Sequence, residues 1–475
     1  MNTITAPAPL ERSQLERPPL ERHNLFDRAI RRIAGVWRDM ANSVADTEDE
    51  TIEGQMRACL SGAGGDISSR NRTAKLAQAY LALDEAGRTE FLRLLAGFDT
   101  EPEALARAYE AVQAADDATE RALATAVLRR TLQPPRVRLL IKFTTIPDGV
   151  KFLVDLRAFL ITRTRSDKLL AALDSDLRML LASWFEVGFL ELRRIDWESP
   201  AALLEKLVGY EAVHEIRGWS DLKNRLDADR RCYAFFHPRM RTEPLIFVEV
   251  ALTRGLSGSV QALLDESAPV LNPGEADTAI FYSISNCQLG ISGISFGNFL
   301  IKRVLEVMGP EFRNIKAFST LSPVPGFCKW LHAQLAEADA GLLTEAETNA
   351  LRPLEPDSSG PAAVAALLAR LDWAEDAQVV KALEPILARL CARYLLQESR
   401  GKRAADAVAH FHLSNGARLE RINMLGDISA KGLKESAGLM VNYLYDPARI
   451  EQYHEDYAGT GKRNASSAVR KVVKG

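Results

Sequence analysis

Directly after the apolar run Thr278-Ala-Ile-Phe-Tyr-Ser-Ile-Ser285 the chain reads Asn286-Cys287-Gln288-Leu289-Gly290-Ile291-Ser292-Gly293-Ile294-Ser295-Phe296-Gly297-Asn298. The amphipathic run Phe299 to Met308 follows. β-branched and aromatic residues ahead of the glycines predict a strand, and the periodic apolar residues behind them predict a helix. Such a segment has few ways to fold. A strand running into a glycine turn and then a helix aims backbone N–H groups and a helix amino end at one point. Glycines there let a phosphate come close to the backbone. Two readings stand at this stage, an ordinary tight βα turn and an anion cradle. No acid falls where a dinucleotide fold holds its ribose, so a pyrophosphate without a nicotinamide fits the cradle better.

The surroundings of this turn differ from the rest of the chain. Residues 25–185 read as successive helices, with apolar spacing at Leu76, Ala79, Tyr80 and Leu83 and breakers at Gly97, Pro102, Pro134, Pro135, Pro147 and Gly149. Beyond about residue 187 strands enter: 231–236 and 244–252 as neighbours, 278–285, and late in the chain 439–445. Residues 331–400 return to helical composition as an insertion. This gives a flexible tail (1–24), a helical oligomerisation domain (25–187) and a mixed α/β domain (188–475). Within the helical part Gly62-Ala-Gly64-Gly65-Asp66 mimics a phosphate loop, but no strand precedes it and no Lys-Ser/Thr follows, so it reads as a linker.

Charge and cysteine content narrow the function. Sixty Lys and Arg against 63 Asp and Glu leave a net charge of -3, which excludes a chain that is basic throughout and grips nucleic acid. Five cysteines without CxxC spacing make neither a disulfide framework nor a thiolate zinc site, and Cys287 reads as a small buried hydrophobe. No stretch is apolar enough to span a membrane. The first 25 residues repeat Leu-Glu-Arg and carry Glu11, Glu16 and Glu21, unlike a signal or transit peptide, so the cytoplasm is the expected compartment. Lys462, Arg463, Arg470, Lys471 and Lys474 form a basic end, read as solvated coil or as a contact for a ligand phosphate.

Two further segments carry candidate chemistry. In Phe318-Ser-Thr-Leu-Ser322-Pro-Val-Pro325-Gly326-Phe327 the prolines stiffen the turn after Ser322, fixing a hydroxyl or merely a structural corner. In His410-Phe-His412-Leu-Ser414-Asn415-Gly416 the paired histidines share a face if the segment is extended. No further ligands stand nearby for a metal, so a general acid or base is the sharper reading and a satisfied structural His the plainer one. Arg421, Asn423 and Asp427 follow as candidates for orienting hydrogen bonds.

Taken together, Phe281 to Ser285, the glycine turn, Phe299-Leu-Ile-Lys-Arg303, Leu-Ser-Pro-Val-Pro-Gly-Phe and Phe-His-Leu-Ser-Asn-Gly-Ala resemble the malonyl-CoA decarboxylase family. So do Glu211-Ala-Val-His214, Arg231-Cys-Tyr-Ala-Phe and Gly438-Leu-Met-Val-Asn-Tyr443. The resemblance is dense over 180–446. It implies a helical bundle used in oligomer assembly, as dimer or tetramer, followed by a catalytic domain with the GNAT-type N-acetyltransferase fold. It implies that Ser322 and His412 are catalytic, with Ser283 and Tyr445 in support and Asn415 and Asn423 nearby. It also implies that Gln288, Gly290, Ser292, Gly293, Ile294, Ser295, Phe296, Gly297 and Asn298 hold CoA. The turn departs from the usual acetyltransferase spacing, and Ser295 stands where the family resemblance leads one to expect an acid.

The activity implied is loss of CO2 from malonyl-CoA to give acetyl-CoA. The thioester carbonyl accepts the electron pair, so the reaction calls for no cofactor. An acyltransferase using the same turn, with Tyr445 as acid for the thiolate, and a non-catalytic acyl-CoA-binding assembly protein are the alternatives.

Overall fold

The computed structural model describes residues 35–42, 51–61, 65–294, 299–337 and 341–474. The predicted tail, and Ser295, Phe296, Gly297 and Asn298 of the predicted CoA turn, lie outside them.

The first part of the described chain is helical: α1 (35–41), α2 (Ile52–Leu60), α3 (Asp66–Ala82), α4 (Glu85–Gly97), α5 (Pro102–Ala114), α6 (Ala118–Thr131), α7 (Pro135–Phe143), α8 (Gly149–Ile161) and α9 (Lys168–Trp184). The predicted breakers act as helix starts. Pro102 and Pro135 occupy first-turn positions, where a missing N–H costs nothing. Asp84, Asp117 and Asp167 cap helices by accepting exposed N–H groups. Gly65 caps α3, which no strand precedes among the described residues. The periodic face of α3 buries Leu76 and Tyr80, and Tyr80 meets Phe91 and Phe152 edge-on at ring separations of 4.9 and 5.4 Å. The α5–α6 hairpin stands apart: α6 buries none of its residues and exposes Leu123 and Val127.

The second part is built on one sheet: β1 (Glu191–Ile195), β2 (Arg230–Phe236), β3 (Pro244–Thr253), β4 (Thr278–Asn286), β5 (Ala317–Thr320), β6 (Ser322–Pro323), β9 (Arg418–Asn423) and β10 (Met440–Tyr445). The strands β7 (Ser399–Arg400) and β8 (Arg403–Ala404) pair separately. Strands β1 to β4 form an antiparallel meander, as the adjacent strands 231–236 and 244–252 predict. β2 and β3 are buried along nearly their whole length, which explains their unbroken apolar runs.

β4 then pairs in parallel with β5, and the connection between them holds the glycine turn and helix α13 (Phe299–Glu311). This fork is what positions the site. The β4–β5 pairing ends at Phe281 and Thr320, while β4 runs on to Asn286. Ser322 lies just past the fork, where β6 pairs with β10 instead. The architecture is thus a helical region followed by a mixed α/β domain.

The remaining helices cover that sheet. Helices α10 (Ala201–Tyr210), α11 (Trp219–Arg225) and α12 (Val260–Leu263) lie between the early strands in sequence. The predicted helical insertion is α14 (Phe327–Glu337), α15 (Glu345–Leu351), α16 (Pro361–Ala369) and α17 (Ala377–Gln397). Helices α18 (Ala407–Ser414), α19 (Ala430–Ser436), α20 (Ile450–Thr460) and α21 (Ser467–Lys474) complete the chain. Of the basic end, Arg470, Lys471 and Lys474 lie on α21, while Lys462 and Arg463 precede it outside any helix. Arg463 is buried and donates to Leu395 O at 3.1 Å, while Lys462 pairs with Asp456 at 2.8 Å. Among the described residues no helix is long and apolar enough to cross a membrane.

Candidate active site

The glycine turn opens onto a cleft of about 560 Å³. Its walls include Gln288, Ser292, Gly293 and Ile294 from the turn and His410, Phe411, Ser414 and Asn415 from α18. The two conspicuous glycines of the turn are glycines for different reasons. Gly293 has φ +74 and open space around it, so it supplies the left-handed conformation. Gly290 is buried, and a Cβ there would stand 1.7 Å from the carbonyl oxygen of Val154 in α8. Its missing side chain admits the helical region rather than a ligand. Gln288 also faces inward, its amide donating to Pro244 O at 2.9 Å.

Ser322 and His412, 90 residues apart, meet in a hydrogen bond of 3.0 Å between Oγ and Nε2. On the far side of the imidazole, Nδ1 lies 2.8 Å from the Tyr445 hydroxyl. Ser322 also donates to Thr320 Oγ1 at 2.9 Å, and Thr320 Oγ1 in turn accepts the Tyr443 N–H at 3.2 Å. With Ser322 donating to Thr320, its oxygen accepts from Nε2–H, and Nδ1 accepts the Tyr445 proton. The imidazole stacks on Tyr443, ring centroids 4.6 Å apart. His412, Ser322 and Tyr445 are buried and line no part of the cleft; Phe411 touches both, lining the cleft and meeting His412 edge-on at 5.1 Å.

The segment carrying His412 is not extended, and this corrects the shared face expected for the two histidines. Asp406 accepts the N–H groups of Val408 and Ala409 at 2.9 Å each and starts α18. On a helix, positions two apart point different ways. His410 accordingly bonds Tyr457 OH at 2.9 Å.

Burial pushes the His412 imidazole down to about 3 from its ordinary 6.5, so the ring is neutral at pH 7. The unfolded chain takes up this proton near pH 6.5 and the folded chain does not, so the stability contribution is full above 6.5 and is lost progressively as pH falls towards 3. Between pH 7.5 and 5.5 the wild-type chain is expected to lose about 1.4 kcal/mol more stability than His412→Asn. Parallel urea titrations at the two pH values check this, and equal losses would refute a buried neutral His412.

The other predicted residues divide. Asn423 donates to Asn442 Oδ1 at 2.9 Å, and Asn442 donates to Thr320 O at 2.8 Å, so Asn423 backs the Ser322 corner at one remove. Asn415 donates to Phe411 O at 2.7 Å; its Oδ1 is buried at the cleft without a hydrogen-bond partner among the described residues. The Ser283 hydroxyl is hydrogen-bonded to neither Ser322 nor His412. Its hydroxyl lies 2.9 and 2.8 Å from the two carboxylate oxygens of Glu211, which also accepts the N–H groups of Val213 and His214. Asp427 accepts from Gln261 and Ser429 N–H rather than orienting His412. Thr320, Asn442 and Tyr443 were not anticipated, since polar or aromatic residues on a strand carry no signal of partners more than a hundred positions away. All five cysteines are free and buried, and burial raises each thiol above its ordinary range; Cys287, beside the cleft, is among them.

A mixed α/β sheet, a cleft at its glycine turn and a buried Ser322–His412–Tyr445 hydrogen-bond chain make up the candidate site. The models for the malonyl-CoA decarboxylase C-terminal and N-terminal domains match residues 188–475 and 98–185. The chain belongs to the malonyl-CoA decarboxylase family, whose members are carboxy-lyases. It is similar to the solved malonyl-CoA decarboxylase of Rhodopseudomonas palustris, 43% identical with a TM-score of 0.80 over 88% of this chain and 98% of that one. The one from Agrobacterium vitis is 42% identical with a TM-score of 0.80, over 89% and 99%. The mitochondrial malonyl-CoA decarboxylase of Anser anser anser is 39% identical over 71% of this chain and 69% of its own length.

Proposed function

We propose that the chain converts malonyl-CoA to acetyl-CoA and CO2 with Ser322, His412 and Tyr445 at the reacting end and the 288–298 turn holding CoA. The observation that carries this reading is the continuous, buried hydrogen-bond chain Tyr445–His412–Ser322, which Phe411 joins to the cleft wall. Cleavage of the C–C bond releases CO2 and leaves the electron pair on the thioester as an enolate. A thioester enolate is a far stronger base than a phenolate or an imidazolate, so a neutral chain of donors suffices. Ser322 gives its proton to the enolate carbon, takes one from Nε2–H of His412, and His412 takes the Tyr445 proton at Nδ1; solvent restores the phenol. The low dielectric strengthens each hydrogen bond to the developing oxyanion. Asn415 Oδ1 is suited to accept an amide N–H of the pantetheine arm. Ser283 acts through Glu211 on the wall of the fork, not on the reacting atoms. Incubation of the protein with malonyl-CoA, with no amine acceptor, is the test. Acetyl-CoA and CO2 in equal amounts are the expected products, and malonyl-CoA recovered intact would overturn the reading.

The division at about residue 187 carries the second half of the proposal. The helices before it assemble copies of the chain, and the exposed α5–α6 hairpin is the surface that does so. Leu123 and Val127, one turn apart on α6, and Tyr109 on α5 are exposed, on helices of which only Ala108 is buried. Leu123→Glu with Val127→Glu is expected to lower the sedimenting mass towards that of one chain. An unchanged mass removes the hairpin from the interface.

A further inference from the structure

The guanidinium of Arg157, in α8 of the helical region, is buried beneath the glycine turn. Its Nη1 donates to the carbonyl oxygens of Gly290 at 2.7 Å and Ser292 at 2.9 Å, across 133 and 135 residues of sequence. Its Nε is held by Asp174 of α9 at 2.8 Å. Three residues earlier on the same helix, the Val154 carbonyl fills the space that a Cβ of Gly290 would take. The turn is therefore seated on α8 at two points, one by hydrogen bonding and one by close packing.

This seating has a directional consequence. A trans peptide holds its C=O and N–H on opposite sides. Arg157 draws the Ser292 carbonyl to the α8 side, so the N–H of Gly293 in the same peptide points away from α8. Gly293 is exposed and lines the cleft. We propose that Arg157 is a positioning residue for CoA: by fixing the Ser292–Gly293 peptide it presents the Gly293 N–H to the phosphates, and so makes the helical region part of the CoA site without touching CoA. This rests on the reading of the turn as the CoA site.

Three proteins and two measurements test it. Arg157→Lys keeps a cation beside Asp174 but cannot span two carbonyls and a carboxylate. Asp174→Asn keeps the carbonyl bonds and removes only the ion pair, so it reports the effect of a weakened α8–α9 contact alone. The expected result is a KM for malonyl-CoA raised about 10-fold in Arg157→Lys with kcat unchanged, and a KM near wild type in Asp174→Asn even if both melt earlier. Equal KM values in the two variants, or a fall in kcat alone, would overturn the proposal. Hydrogen exchange of residues 288–294 in the wild-type protein, with and without CoA, separates the two layers. Slowed exchange there supports the turn as the CoA site whichever way Arg157→Lys behaves. Slowed exchange only elsewhere removes that reading, and the role of Arg157 with it.

Discussion

His412→Ala is expected to bind CoA with wild-type affinity and to form acetyl-CoA at least about 100-fold more slowly, the usual cost of removing a positioned proton donor. The loss has two parts. Ser322 loses the Nε2–H that reprotonates it, and Tyr445 loses its only described hydrogen-bond partner, so the proton chain is cut at its centre. CoA affinity should survive because His412 lines no part of the cleft. Ser322→Ala should show the same split, while Tyr445→Phe removes only the last link and should retain more turnover. Calorimetric titration with CoA and the acceptor-free malonyl-CoA assay check both halves. Full turnover by His412→Ala would mean that the buried chain is structural. Loss of CoA binding would mean that α18 had collapsed and that the variant reports folding.

The second large effect belongs to Gly290. In Gly290→Ala the new methyl would lie 1.7 Å from Val154 O and 2.6 Å from Val154 C, both backbone atoms, so no rotamer change can relieve the clash. Either the turn lifts off α8 or α8 shifts. Overpacking of this kind costs about 1–3 kcal/mol and more where backbone must move. The expected outcome is a clear drop in melting temperature together with weakened CoA binding, because the seat of the turn is lost. Gly293→Ala is the contrast: nothing lies within 4 Å of the added methyl, and only its φ of +74 is strained, at about 1 kcal/mol. Its fold should be nearly unperturbed. If Gly290→Ala melts no earlier than Gly293→Ala, the close packing of turn on helix is not as described.

Local chemistry determined what was legible beforehand. The buried strands β2 to β4 announce themselves by β-branched and aromatic runs, and the turn by its glycines next to a periodic helix. The proline-stiffened corner at Ser322 and the lone close histidine pair stood out by residue type alone. Their meeting did not, since a hydrogen bond across 90 residues leaves no local trace. His410 and His412 were separated by a helix that Asp406 starts, a cap four residues upstream that the paired histidines outweighed. Ser283 sits on the expected strand, but its neighbour Glu211 comes from a loop that strand patterning does not place. Arg157 was invisible for a deeper reason: it acts on carbonyl groups, which every residue has.

The silence of the cysteines bears on the substrate. An acyl thioester is prone to exchange with any free thiolate, and Cys287 stands in the wall of the cleft proposed to take CoA. Burial keeps that sulfur protonated, and a protonated thiol is a poor nucleophile towards an acyl group. If the cleft takes the acyl-CoA as proposed, this burial protects the acyl group from transfer to the protein.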